Sequence, residues 1–440
     1  MTGRRVVITG LGVVTPAGIG IGEFWQAMLN RRQAVSEISL FDAHGFPCCI
    51  GGELKDFSAG KFVPKSYRKS VKVMARDIEI AVAAADLAFR DAGITTRGID
   101  GDRTDIDSKR LGCNIGAGLI CADLNELGSA VTTAVTDGKF DLKKWGAGGM
   151  ENLTPLWLLK YLPNMLACHV TIIHGCEGPS NNITCGDASG HLGIGESARW
   201  IACGEADVVI AGGAESKLNP MGLLRQCLLG RVVTGRNDCP AEACRPFDAG
   251  RAGHSGTVIG EGGGLVILEA LDRAKARGAR IYAEVIGAGS SCDPAGINVT
   301  GPNVGGMEIA ICKAMDEAGV TAADVDLIVA HGTGVPGEDV REAEAWCYAL
   351  GRRIEKIPAV AITGAIGSLF AGAGGVETAV AAKALREQIA PPTVNFNVAD
   401  QALGMLFGLR SGEETFNCAV TAAFTTGGQS AACVLKRYEQ

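Results

Sequence analysis

The sequence predicts an α/β protein built from two similar halves, and three observations carry that prediction. Strand-like apolar runs alternate with helix-like periodic runs along most of the chain. The strand-like runs are almost wholly apolar, as expected of strands buried on both faces. The third observation is an internal echo. A periodic segment over residues 80–95 ends in Asp91-Ala92-Gly93-Ile94-Thr95, and another over 309–321 ends in Glu317-Ala318-Gly319-Val320-Thr321. An acidic linker and an apolar run, Arg110 to Gly116 and Asp326 to His331, follow each copy. A spacing of about 230 residues points to two copies of one βαβ-rich unit. The halves are placed at residues 1–260 and 261–440, sharing one core because no linker composition separates them.

Taken in order, Val6 to Val14 reads as a buried first strand with a glycine turn at Gly10 and Gly12 before Pro16. The same glycines interrupt the apolar run that a signal peptide would need. Residues 80–94 form a helix with a glycine C-cap, and Arg110 to Gly116 the next strand. Asp123 to Asn152 is polar and glycine-bearing, which suits a surface excursion. Helices follow at Ser189 to Cys203, Asp272 to Arg277 and Val376 to Arg386. Strands fall at Asp207 to Gly212, Leu265 to Leu271 and Ile281 to Ile286.

Bulk properties narrow the function. A net charge of −7 over 440 residues argues against nucleic acid as the main partner. No apolar run reaches the ~18 residues of a membrane span. The sixteen cysteines contain no repeated Cys-x-x-Cys, so neither a zinc site nor a redox pair is indicated. Cys168, His169, His174 and Cys176 are close in sequence, yet their spacing fits no common metal site. Reduced thiols in a cytoplasmic protein without metal or cofactor are the expectation.

The segment Gly178-Pro179-Ser180-Asn181-Asn182-Ile183-Thr184-Cys185-Gly186-Asp187-Ala188-Ser189 leads into a helix that continues through Ile194-Gly195. Other motifs are Val7 to Pro16, Ala211 to Glu215, Arg236 to Asp238, Arg245 to Asp248 and Gly260 to Gly262. A further one is Ala330-His331-Gly332-Thr333-Gly334, with Asp339 and Glu342 downstream. Together they resemble the β-ketoacyl synthases of the thiolase superfamily over nearly the whole chain. The resemblance implies a thiolase-like five-layer αβαβα sandwich of two duplicated halves, normally dimeric.

It also implies a chemistry. In that family a cysteine at a helix N-terminus is acylated from acyl carrier protein, because helix-end N–H groups lower its pKa and amides hold the oxyanion. Two histidines and a lysine then stabilise charge as a malonyl group loses carbon dioxide. In ungapped register the cysteine position is Asp187. His331 matches one histidine. Counting back from Gly374-Gly375-Val376-Glu377 places Ser368 on the other and Thr363 on the lysine, with Glu377 in the same polar network as Asp339 and Glu342. Phe424 aligns at the start of the loop lining the substrate tunnel, and Thr426 replaces its gating phenylalanine. Residues 251–256, including His254, add about three positions.

Acid–base and oxyanion groups are each worth roughly 10²–10⁴ in rate. Their combined loss removes the condensing reaction. Asp187 would have to form a mixed anhydride to store an acyl group, whereas capping a helix contributes ~0.3–1 kcal/mol. Cys185, two residues upstream, is the rescue nucleophile.

The leading expectation is a chain-length-factor-like partner of an active ketosynthase in type II fatty acid or polyketide biosynthesis. It would form a heterodimer with a cysteine-bearing sister, or a homodimer. The alternatives are a repurposed enzyme acting on acyl- or malonyl-carrier thioesters through His331 with Asp187 or Cys185, helped by His191 or His254, and an active condensing enzyme using Cys185. Arg4, Arg5, Lys65, Arg68, Lys69, Lys72, Arg231 and Arg236 supply positive charge for acyl carrier protein. Arg231 is the expected contact.

Overall fold

The computed structural model describes residues 3–101, 103–248, 256–294, 305–397, 406–407 and 415–439. The first half contributes β1 (Val6–Thr15), β2 (Leu111–Gly116), β3 (Ser180–Ile183), β4 (Val208–Ser216) and β5 (Ile259–Ala270). The second contributes β6 (Ala283–Cys292), β7 (Leu327–Ala330), β8 (Pro358–Ala361), β9 (Cys418–Phe424) and β10 (Gln429–Lys436). The first five pair in the order β1-β5-β4-β2-β3, and the second five in the order β6-β10-β9-β7-β8. Each half therefore runs first, fifth, fourth, second, third. Each has two antiparallel pairings followed by two parallel ones. The sets join where Val6 to Ile8 of β1 meets β6 antiparallel.

The principal helices are α1 (Arg76–Ala92), α2 (Met165–His174), α3 (Ser189–Ala202), α4 (Gly305–Ala318), α5 (Pro336–Leu350) and α6 (Ala373–Glu387). α3 and α6 pack on each other and on strands of both halves, α1 and α2 lie against the first half, and α4 and α5 against the second. Three helix layers thus separate and flank two strand sets, giving five layers. The core follows that division. Ile194, Ile201, Val376 and Val380 fill the middle, Ile78, Val82 and Phe89 one flank, and Ile311, Val325 and Trp346 the other.

Gly93 and Gly319 end α1 and α4 in left-handed geometry (φ 64° and 66°), as the echo predicts. The glycine turn predicted in the first strand is corrected. Gly10 and Gly12 lie inside β1, and the turn falls at Pro16-Ala17. The glycines serve close packing: a β-carbon on Gly12 would stand 1.9 Å from the Ala84 carbonyl oxygen, and one on Gly10 2.4 Å from that of Ala88. Gly287 and Gly289 of β6 seat α4 in the same way, at 2.2 Å from Ala314 O and 2.0 Å from Ala310 O.

The predicted boundary at residue 260 also shifts. It cuts β5, which pairs with β1 and β4, so the first half extends through the helix Leu271–Ala276. Residues 123–152 form two short helices and a two-stranded ribbon, with Phe140, Leu142 and Met150 exposed.

Candidate functional site

β3 ends at Ile183, and the chain turns through Gly186 (φ +53°) into a short 3-10 turn, Gly186–Ala188, that opens directly into α3. Ser189 fixes this turn by accepting the Cys185 N–H (2.8 Å) and donating to Gly186 O (2.6 Å). Asp187 is thereby driven inward and is 3% exposed. His331 stands just past the end of β7, where Glu342 of α5 accepts the backbone N–H groups of His331 and Gly332, each at 2.8 Å. Asp339 holds the same stretch through the N–H groups of Gly334 (3.0 Å) and Phe247 (2.8 Å). These two carboxylates therefore shape the backbone beneath His331.

The imidazole lies between two other carboxylates. Its Nδ1 donates to Glu377 Oε1 of α6 at 3.0 Å, and its Nε2 faces Asp187 Oδ1 at 3.7 Å. His191 of α3 approaches from behind, with Nε2 at 3.0 Å from Thr421 Oγ1 on β9 and 3.6 Å from Glu377 Oε2. Five buried polar atoms here have no hydrogen-bond partner: Asp187 Oδ1, His191 Nδ1, His331 Nε2, Ser368 Oγ and Glu377 Oε2.

Burial disfavours every charge in this group, and the contacts decide which survive. Burial works against the His331 imidazolium, but Glu377 and Asp187 outweigh it and hold its pKa well above the ordinary value. Burial would raise the Asp187 carboxyl, yet contact with His331, then its charge and that of Arg231, brings the net below the usual range. Glu377 remains raised because burial exceeds the help from His331. His191 is pushed down to about 3 by burial and by the charge on His331. The contacts thus favour the charged form of His331 and the neutral form of His191.

The C-terminal loop closes over this arrangement. Phe424 meets the His331 ring edge-on, with centroids 5.7 Å apart. Thr425 sits on Gly186, where a β-carbon would lie 2.4 Å from Thr425 Oγ1. Thr426 is partly buried in the adjoining turn.

The other predicted residues have definite places. Ser368 is buried between Val258 and Gly260 through backbone bonds of 2.8 Å on each side. Thr363 donates its hydroxyl to Gly332 O and so braces the His331 loop. Cys185 is half-buried, and burial followed by the nearby Cys292 raises its thiol pKa, the direction opposite to activation. His254 lies outside the described residues.

The expectation that Arg231 contacts a carrier protein is corrected. Its side chain is 8% exposed, and Nε and Nη2 each bond Glu338 at 2.9 Å, while Nη1 reaches Gln226 at 3.3 Å. Arg4 and Arg5 are engaged by Asp207 with Asp272 and by Glu284. Lys65, Arg68, Lys69 and Lys72 are all exposed on one 3-10 stretch, Lys65–Val73, and form no ion pair with a described residue. His169 bonds Tyr67, and His174 bonds Thr96 while tilting against Phe89. Among the described residues no cluster is arranged to hold a metal, and no helix is long and apolar enough to cross a membrane.

Two duplicated halves with a turn-to-helix site facing a histidine loop define a thiolase-like fold of the ketosynthase type. The model of the β-ketoacyl synthase N-terminal domain matches residues 3–274, and that of the C-terminal domain residues 282–397. The chain belongs to the β-ketoacyl synthase family. It is 35% identical to 3-oxoacyl-[acyl-carrier-protein] synthase 2 of Rhizobium meliloti (strain 1021), with 99% of each chain covered. The Vibrio harveyi protein of the same name is 32% identical, again over 99% of each. Among solved structures, the ishigamide ketosynthase/chain length factor superposes with a TM-score of 0.83 at 27% identity, covering 100% of both chains.

Proposed function

We propose that this chain is a non-condensing β-ketoacyl synthase homologue that acts as a chain-length-factor-like partner of a cysteine-bearing ketosynthase. The pathway would be type II fatty acid or polyketide biosynthesis, in the cytoplasm. One observation carries the reading: the helix-turn position facing His331 holds a carboxylate, and the histidine is committed to it and to Glu377. A thioester carbonyl meets a carboxylate at Asp187 in place of a thiolate, and hydroxyls at Ser368 and Thr363 in place of the second histidine and the lysine.

Incubation with acyl carrier protein bearing a thioester-linked acyl group, followed by intact-mass measurement, tests this. No adduct on the wild type, with an adduct on Asp187→Cys, is the expected result. An adduct on the wild type that disappears in Cys185→Ala refutes the reading.

The retained His331–Glu377 hydrogen bond favours one second reading, a repurposed enzyme that acts on malonyl-carrier thioesters. Carbon dioxide release that is abolished by His331→Ala would establish it in place of the first.

Two surfaces support partner binding. Lys65, Arg68, Lys69 and Lys72 form a basic row, without an ion pair to any described residue, suited to an acidic carrier protein. Lys69→Glu/Lys72→Glu should weaken carrier binding at least tenfold at low salt and less at high salt, read by fluorescence anisotropy. β3 is an edge strand with Ser180 and Asn181 exposed, the kind of surface on which a dimer partner can add.

A further inference from the structure

We infer that Cys185 and Cys292 form a redox-responsive thiol pair, one from each half, whose disulfide fastens the turn carrying Asp187 to the end of β6. This stands apart from the proposed function, since it concerns the covalent state of the turn and not what binds beside it.

Strand register brings the two thiols to one face. Cys292 is the last residue of β6 and stands opposite Gln429, the first of β10. Phe424 pairs with Ser430, and the Thr425 N–H donates to Gln429 O at 2.9 Å, so Thr425 flanks Gln429 on the other side. Residues opposite one another in antiparallel strands project to the same face. Cys292, Gln429 and Thr425 therefore make one lateral row. The site turn rests on that row: a β-carbon on Gly186 would lie 2.4 Å from Thr425 Oγ1. Cys185 immediately precedes Gly186, so it reaches this face from the first half as Cys292 does from the second. The two are near enough for the charge of a Cys292 thiolate to be felt at Cys185. Both are free thiols, Cys185 half-buried and Cys292 exposed.

A disulfide needs its two Cα atoms within about 7 Å. Both cysteines sit where regular structure gives out and the backbone can adjust. Cys292 ends β6, and Cys185 lies between β3 and the 3-10 turn, followed by Gly186 at φ +53°. Exposure sets the order of events. With hydrogen peroxide as oxidant, Cys292 becomes a sulfenic acid and the peroxide is reduced to water. Cys185 then gives up its proton and attacks the Cys292 sulfur. The S–O bond breaks, the S–S bond forms and a second water leaves. Burial, then the Cys292 charge, raises the Cys185 thiol, which suits it to this second role and not to direct oxidation. Ser189 accepts the Cys185 N–H and donates to Gly186 O, so a bond at Cys185 is carried into the turn that holds Asp187.

The test treats the full chain with dilute hydrogen peroxide, digests it without reductant and reads the peptides by mass spectrometry. A peptide pair joined through Cys185 and Cys292 should appear, lighter by the hydrogens lost, and should vanish on reduction. Alkylation of both thiols should be lost together, while Cys203, the exposed thiol at the far end of α3, stays open to it. Hydrogen exchange over residues 184–189 should slow about tenfold on oxidation and recover on reduction. Cys292→Ser, at an exposed position, should keep its melting temperature and lose both the cross-link and the slowing. Cys185→Ser should lose the cross-link as well, and if it does not fold Cys292→Ser carries the test alone. Oxidation of Cys292 to a sulfinic acid with Cys185 left free overturns the inference. So does pairing of Cys185 with another cysteine, unchanged exchange in the oxidised wild type, or slowing that persists in Cys292→Ser.

Discussion

Removing the imidazole between Asp187 and Glu377 should cost far more than removing either neighbouring charge. At an effective dielectric near 20, charges about 4 Å apart attract by about 4 kcal/mol, and desolvation offsets most of it. In His331→Ala, Asp187 and Glu377 remain buried without their counter-ion, so stability should fall by about 3–5 kcal/mol. Asp187→Asn leaves the 3.0 Å His331–Glu377 contact in place and lowers the excess of buried negative charge. Its cost should stay below about 1.5 kcal/mol. The double variant should recover at least ~1 kcal/mol relative to His331→Ala, because one stranded carboxylate is gone.

The pH dependence has two limbs. The contribution of Asp187, whose folded pKa is lowered, is present above the ordinary aspartate range and fades as pH falls through the lowered value. That of His331, whose folded pKa is raised, is complete below about 6.5 and fades as pH rises through the raised value. The His331→Ala penalty should therefore be full at about pH 5.5 and persist at pH 7. Urea denaturation of the four proteins at both pH values measures it. A loss below ~1 kcal/mol in His331→Ala, or a double variant no better than it, would refute the charge assignment.

Other outcomes follow from the packing. Gly12→Ala and Gly289→Ala should each destabilise by about 1–3 kcal/mol in urea denaturation, since the neighbouring atoms are helix backbone. Gly22→Ala, with open space around it, should be neutral or slightly stabilising. Gly186→Ala should destabilise by ~1–3 kcal/mol, and Thr425→Gly in that background should recover the steric part but not the cost of positive φ. Arg231→Ala should cost about 3–5 kcal/mol by stranding Glu338 and leave carrier binding unchanged in anisotropy, with Glu338→Gln restoring part of the loss.

Much of the fold was legible in the sequence because duplication leaves local marks. Gly93 and Gly319 cap their helices as the repeated Ala-Gly-Ile/Val-Thr endings predict. The roles of Gly10 and Gly12 were not legible, because a glycine inside a strand and one in a turn look alike until the opposing helix is placed. In the site, Asp187 was singled out only through its register with the family's nucleophile loop, and it stands 3.7 Å from His331. The burial of Arg231 was not legible, since its partner Glu338 lies 107 residues away and nothing local marks the pair. The approach of His191 to Glu377 was equally hidden, for the two share only their place in the middle helix layer.

The glycine seats under α1 and α4 bring strand and helix main chains into direct contact, with only the β-carbons of Ala92 and Ala318 beside them. At these seats an ordinary core substitution elsewhere in the layer has little to alter. Neighbouring residues can turn over extensively while α1 and α4 keep their height above the sheet. A scaffold gauged in this way can carry different charges at its centre without its geometry recording the change.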